Sequence, residues 1–250
     1  MDTPIHWLLI PSVFLVALLY SSVGQGGGSG YLAVLSLLAI RPEQMATTAL
    51  TLNLVVAGIG LIAFLRAGHF SGRLTWPFVT ASVPAAFLGG LTRVSAHAYA
   101  VLLAFALIVA AWRLLMEWRR EELVSVKPPM LAVALPVGGA IGWLSGVVGV
   151  GGGIFLSPLC LLRRWADVKQ TAATSACFIL VNSAAGLAGR LVHGTFEGGG
   201  LWPLLLAACA GGVIGSRLGA NHFSGRAPKR VLAAVLLVAA LKLLKVTWGA

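Results

Sequence analysis

Charge is what this sequence has least of. Asp, Glu, Lys and Arg make up 10% of its 250 residues, against about 25% in soluble domains. So few charges cannot cover a water-facing surface, which excludes an ordinary soluble fold. Acidic residues are rarest: there are seven, and none is clearly in the middle of an apolar run. The buried carboxylate that many proton-coupled transporters use is therefore not visible. Glu43 and Asp167 stand where first helical turns are expected and read as caps. Cysteine is down to Cys160, Cys177 and Cys209, all inside apolar stretches and without CxxC spacing. That pattern argues against a disulfide framework or a metal site, and for small reduced hydrophobes. No cofactor is implied. A leader peptide is not expected either: MDTPIH has an Asp and no Lys or Arg, and no A-x-A site follows the apolar run Ile5 to Tyr20. That run reads as a retained span.

What the chain does have is apolar length. Hydrophobic residues make up 58% of it, and its mean hydropathy is +0.93. Its partner is a lipid bilayer, which asks nothing polar of a side chain. The net charge of +11 comes from 18 Lys and Arg scattered singly or in pairs between apolar runs. Membrane-protein loops look like that, so nucleic acid is not an expected partner.

Charges and Gly/Pro turns cut the sequence into ten apolar segments. The first five are His6–Ser22, Gly30–Ile40, Met45–Arg66, Leu74–Thr92 and His97–Trp118. The second five are Pro129–Val148, Gly153–Arg163, Val168–Val192, Gly200–Gly219 and Ala227–Trp248. A span needs about 20 apolar residues, so Gly30–Ile40 and Gly153–Arg163 are too short and read as half-helices. The two fives match in residues. VGQGGG at Val23–Gly28 aligns with VGVGGG at Val148–Gly153 at an offset of 125. After one inserted residue the offset is 126: Ala46 meets Ala172, Thr48 meets Thr174, Gly60 meets Gly186, Trp76-Pro77 meets Trp202-Pro203, and Gly89 meets Gly215. Such a collinear series marks an internal repeat, with its boundary in Trp118–Pro129 and the units spanning 1–122 and 123–250.

Loop charge bears on how the units are oriented. If each half-helix turns back as a hairpin with the segment before it, 13 of the 18 Lys and Arg fall on one side, from Arg66 and Arg73 to Lys229 and Arg230. If it completes the crossing, they divide evenly. The positive-inside rule favours the hairpin. The expected fold is therefore an all-α integral membrane protein of two inverted repeats, each of about five helical segments with a Gly-broken re-entrant half-helix. Both termini fall on the less positive side. Arg66 and Arg190 close the third segments and are expected to snorkel to the interface, while Trp76 and Trp202 suit an aromatic belt.

GQGGGSG (Gly24–Gly30) and GVGGG (Gly149–Gly153) are the strongest local signals. Glycine costs about 1 kcal/mol per residue inside a helix, so the helix breaks there. Freed N–H groups at a half-helix start suit an anion, and broken helices paired across an inverted repeat point to a transporter's substrate site. The plainer reading, close helix packing as in GxxxG, fits one copy as well as the site does; two copies favour the site. Candidate substrate contacts are Gly24, Gly26, Gly27, Gly28 and Ser29 in the first break, and Gly149, Gly151, Gly152, Gly153 and Ser157 in the second. Thr47, Thr48 and Asn53, and Thr174 and Ser175, follow on the third segments. These hydroxyls and amides can donate to an anion or bond a neighbouring helix. A Rossmann fingerprint lacks its strand and acidic residue. Ser29 within GGSG resembles an intramembrane serine hydrolase motif, but the second copy has Ile154 there and no His lies mid-span.

The two GxGGG breaks, with GVGGGIFLSPLCLL and QTAATSACFILVNSAAG in the second half, resemble the TauE/SafE family of bacterial membrane transporters. The resemblance covers nearly the whole chain. It implies a multi-pass inner-membrane permease for a small sulfur-containing anion such as sulfite or an organosulfonate. By motif position it implies a shared core at Gly149–Gly153, Ser157, Pro158 and Thr174–Ser175, with Gly24–Gly28 as first-half counterparts. One departure is visible: Ser29-Gly30-Tyr31 stands where the second half has Ile154-Phe155-Leu156, without a counterpart of Pro158. The expected function is alternating-access transport. An uncoupled, channel-like permease is the alternative, and the hydrolase or a non-transporting scaffold stands further off. Direction, coupling ion and oligomeric state stay open, a homo-oligomer included.

Overall fold

Ten helices and no strand make up the described residues, 5–22, 25–38, 40–115, 129–192, 201–221 and 226–248, of the computed structural model. Gly24, His193 and most of the boundary stretch Trp118–Pro129 lie outside them, as does the side chain of Glu43. In chain order the helices are α1 (Ile5–Ser21), α2 (Gly28–Leu37), α3 (Pro42–Arg66), α4 (Gly72–Leu91) and α5 (Ala96–Leu115), then α6 (Leu131–Val148), α7 (Gly153–Leu162), α8 (Val168–Leu191), α9 (Trp202–Asn221) and α10 (Arg226–Trp248). Among the described residues, five helices are long and apolar enough to cross a membrane: those over Gln44–Arg66, Gly72–Leu91, Ala96–Leu115, Leu131–Val148 and Val168–Leu191. α2 and α7 have 10 residues each, about 15 Å of helix, half of a bilayer core.

Local chemistry sets several helix ends. Pro42 opens α3, where a missing N–H costs nothing, and Arg41 before it is extended as a pre-proline residue must be. Asp167 caps α8 by accepting from the Gln170 amide at 2.8 Å, as its sequence position suggested. Outward faces are apolar: Trp7, Leu206 and Leu241 are exposed, and so are Trp76 and Trp202 at their helix starts. All three cysteines are free; Cys160 is buried, whereas Cys177 and Cys209 are only half-buried.

Glycine contacts fix how the long helices run. A Cβ added at Gly138, Gly142 or Gly146 would meet the carbonyl oxygens of Phe78, Ser82 and Ala86 at 2.4, 2.4 and 2.1 Å. The register advances together, so α6 and α4 are parallel and in backbone contact, as small residues at every fourth position allow. In the same way Gly211 meets Phe14 and Gly215 meets Leu18, making α9 parallel to α1. α4 is parallel to α8, because Thr75 bonds Thr174 at one end and Gly90 abuts Gly186 towards the other. α3 runs opposite to α8: Gly58 faces Leu180, Gly60 faces Ala176, and Leu50 faces Gly186. Each fourth helix, α4 or α9, thus lodges against the other half of the chain.

Arg190 departs from its expected role. Rather than simply reaching for the interface, its guanidinium donates to the carbonyl oxygens of Gly146 and Val147. These acceptors end α6 without an intrahelical donor, and a cation there also suits the negative end of the helix. Lys242 of α10 does the same for α2, donating to Ser36 O at 3.2 Å and Leu37 O at 2.8 Å.

Candidate substrate site at the crossing of two helix breaks

The glycine runs break the helices through backbone conformation. Gly27 (φ 98°) precedes α2, and Gly149, Gly151 and Gly152 (φ 89°, 84° and 82°) separate α6 from α7. Side-chain-bearing residues avoid this left-handed region. Each half-helix begins directly after such a glycine, so its first amides have no intrahelical acceptor.

The two breaks meet inside the protein, distant in sequence but in contact in space. A Cβ added at Gly28 would lie 2.3 Å from Val150 O and 2.6 Å from Asn53 Nδ2. Asn53, fully buried on α3, donates through Nδ2 to Val150 O at 3.3 Å and ties the second break to the first half. Gly26 faces Ile179, Asn53 and Ala57, while Gly151 faces Asn53, Ile179 and Ser183. Gln25 Nε2 reaches across the crossing to Ser157 Oγ at 3.2 Å. Ser157 Oγ also lies 2.7 Å from Ser175 Oγ and 2.8 Å from Gly153 O, to which it donates. Gln25, Asn53, Ser157 and Ser175 are all buried.

Of the residues singled out from sequence, Gly26, Gly27, Gly28, Asn53, Gly151, Gly152, Gly153, Ser157 and Ser175 gather at or beside this crossing. Gly149 packs on Ala46, next to Thr47 and Thr48, which are buried in the first turns of α3. Thr174 faces elsewhere: its hydroxyl is 3.1 Å from that of Thr75 and joins α8 to α4. Ser29 is spoken for by Tyr20, whose hydroxyl lies 2.6 Å from Ser29 Oγ. A phenol is a poor general base for a serine nucleophile, which lends the hydrolase reading no support. Gln25 and Ser183 complete the crossing and were not among the expected contacts. Gln25 carried a usable signal, as the polar residue inside the first Gly run where the second has Val150. Ser183 had none, because it faces the site only through the packing of α8.

The family described as "Sulfite exporter TauE/SafE" matches residues 9–243. The chain belongs to the TauE/SafE family. Similar to it is the "Probable membrane transporter protein y4hK" of Sinorhizobium fredii, 38% identical over 247 residues that cover 98% of this chain and 100% of that one. No solved structure matches the chain. It is thus a TauE/SafE membrane transporter, and its helix breaks occupy the buried centre.

Proposed function

We propose that this TauE/SafE transporter moves a small sulfur-containing anion, such as sulfite or an organosulfonate, across the bacterial inner membrane by alternating access. The substrate is held at the crossing of the two breaks. One observation carries the reading: two half-helix starts of opposite halves converge on Asn53 in the buried interior. Unsatisfied amides at two positive helix ends are an anion site in need of no further cation. Polar backbone at membrane depth is otherwise hard to account for.

We further infer that the halves are inverted repeats, with residues 1–122 and 123–250 as the units. Matching residues exchange roles across the crossing, which supports this. The offset of 125–126 carries Gly26 to Gly151, Asn53 to Ile179 and Ala57 to Ser183. The neighbours of Gly26 become those of Gly151 under that exchange. Likewise Gly89 meets Trp143 and Gly215 meets Leu18. The opposed directions of α3 and α8, and the shared direction of α4 and α8, fit re-entrant half-helices; a half-helix completing its crossing would reverse both. Inverted units with broken helices are the usual frame for alternating access.

Flux of labelled sulfite, sulfate, thiosulfate and small sulfonates into proteoliposomes, with and without a pH gradient, tests the proposal. Saturable flux of a sulfur anion is expected. Flux of none of them would sink it, and conduction that never saturates would favour an uncoupled permease.

A further inference from the structure

Asn53 gives the crossing a hydrogen-bonding polarity. Its Nδ2 donates to Val150 O, and since a carbonyl oxygen only accepts, the orientation of the amide is settled. Oδ1 therefore points to Gly26, where an added Cβ would lie 3.1 Å from it. This oxygen is buried and has no hydrogen-bond partner among the described residues. Ser183 Oγ is likewise buried and unpartnered, 3.2 Å from the position of a Cβ on Gly151. Buried polar atoms are nearly always satisfied, so two such side chains, on α3 and α8, at one crossing point to a ligand.

The unpartnered set contains an acceptor as well as donors. Half-helix amides and Ser183 Oγ can donate; Asn53 Oδ1 can only accept. An oxyanion without a hydrogen to give satisfies the donors and leaves the acceptor bare. Its charge matters too. Residues 22–29 and 148–154 include no Lys or Arg, so the breaks themselves offer neutral dipoles; two guanidiniums flank them, Arg190 on the carbonyls of Gly146 and Val147 and Arg113 buried beside Tyr20. The cost of desolvating an ion rises with the square of its charge in a Born description, which penalises a doubly charged anion heavily.

We propose that the site takes its anion singly charged and carrying its own O–H donor: O-protonated hydrogensulfite rather than sulfite, and a hydroxyl-bearing sulfonate rather than a plain alkyl one. This deepens the transport reading above and rests on it. No carboxylate stands mid-span, so the proton that accompanies sulfite is the substrate's own.

Wild-type protein in proteoliposomes suffices for the test. Labelled sulfite flux, measured at one total concentration below and above the second ionisation of sulfurous acid, should follow the hydrogensulfite fraction. In competition, 2-hydroxyethanesulfonate should inhibit about tenfold more strongly than ethanesulfonate, its near-isostere of equal charge, as loss of one buried hydrogen bond implies. Equal inhibition by the two sulfonates, or flux that persists where doubly charged sulfite predominates, overturns the proposal and leaves transport standing. Absence of flux for every anion overturns the transport reading, and this one with it.

Discussion

At the residue scale, two glycines that look alike in sequence differ in what surrounds them. Gly28 has the carbonyl of Val150 and the amide of Asn53 where a side chain would begin, whereas nothing lies within 4 Å of that point at Gly72. Gly28→Ala should therefore destabilise the protein by about 1–3 kcal/mol through overpacking and backbone displacement. Gly72→Ala, on an exposed first helical turn, should be neutral or stabilising by up to about 1 kcal/mol. Thermal melts of the two variants in one detergent check the contrast; equal shifts would mean that the crossing is not closely packed. Ser29→Ala bears on a different point. It removes one hydroxyl from a pair with Tyr20, so most of the anion flux should survive in reconstituted protein. Complete loss of activity would revive the serine-nucleophile reading.

The candidate site was partly legible at this scale. Dense glycine can be read as a helix break because its conformational cost is local, and Asn53 and Ser157 followed as polar residues near the breaks. Thr174 illustrates the limit. Its neighbour Ser175 faces Ser157 while Thr174 faces Thr75, since adjacent residues on a helix point about 100° apart. Which of the two serves the site depends on rotation of α8, a property of packing.

At the scale of elements, glycines act as spacers rather than breaks. On α6, Gly138, Gly142 and Gly146 each let a carbonyl of α4 approach where a side chain would stand, but Gly139 faces Ala81 at an ordinary 3.9 Å. Gly142→Leu should force α4 and α6 apart and cost well over 1 kcal/mol, with Gly139→Leu affected far less. Comparing the melting temperatures of the two variants tests this, and a larger loss for Gly139→Leu would refute the packing described. Arg190 and Lys242 belong to the same scale, each stopping a helix of the site by donating to its last carbonyls. Charge at a segment end was plain in the sequence; which helix each cation would terminate was not, because the acceptors lie 44 and 206 residues away.

For the whole molecule, the proposed re-entrant arrangement of the half-helices predicts a sidedness. Ser71 and Arg164, in the loops after α3 and α7, should share one face of the membrane, and Ser95 should lie on the other. Single cysteines at these positions, in a background without Cys160, Cys177 and Cys209, can be probed with an impermeant thiol reagent on intact cells. The Ser95→Cys variant should be labelled, and the Ser71→Cys and Arg164→Cys variants shielded, since the positive loops face the cytoplasm. Labelling of the Ser71 position from outside would contradict the inverted arrangement.

Sequence alone determined the membrane class, the helix count and the two glycine breaks. These follow from composition and local backbone cost, which need no knowledge of the fold. Loop charge supports the proposed orientation by simple counting. Only the tertiary structure decided that the breaks touch, that Gln25 and Ser183 join Asn53 there, and that Ser29 and Thr174 are turned to other partners. Scarcity of charge, the first thing visible in the chain, takes on a second meaning at that crossing. Where backbone dipoles, neutral amides and hydroxyls gather, the packing that brings them together defines the ligand they can hold.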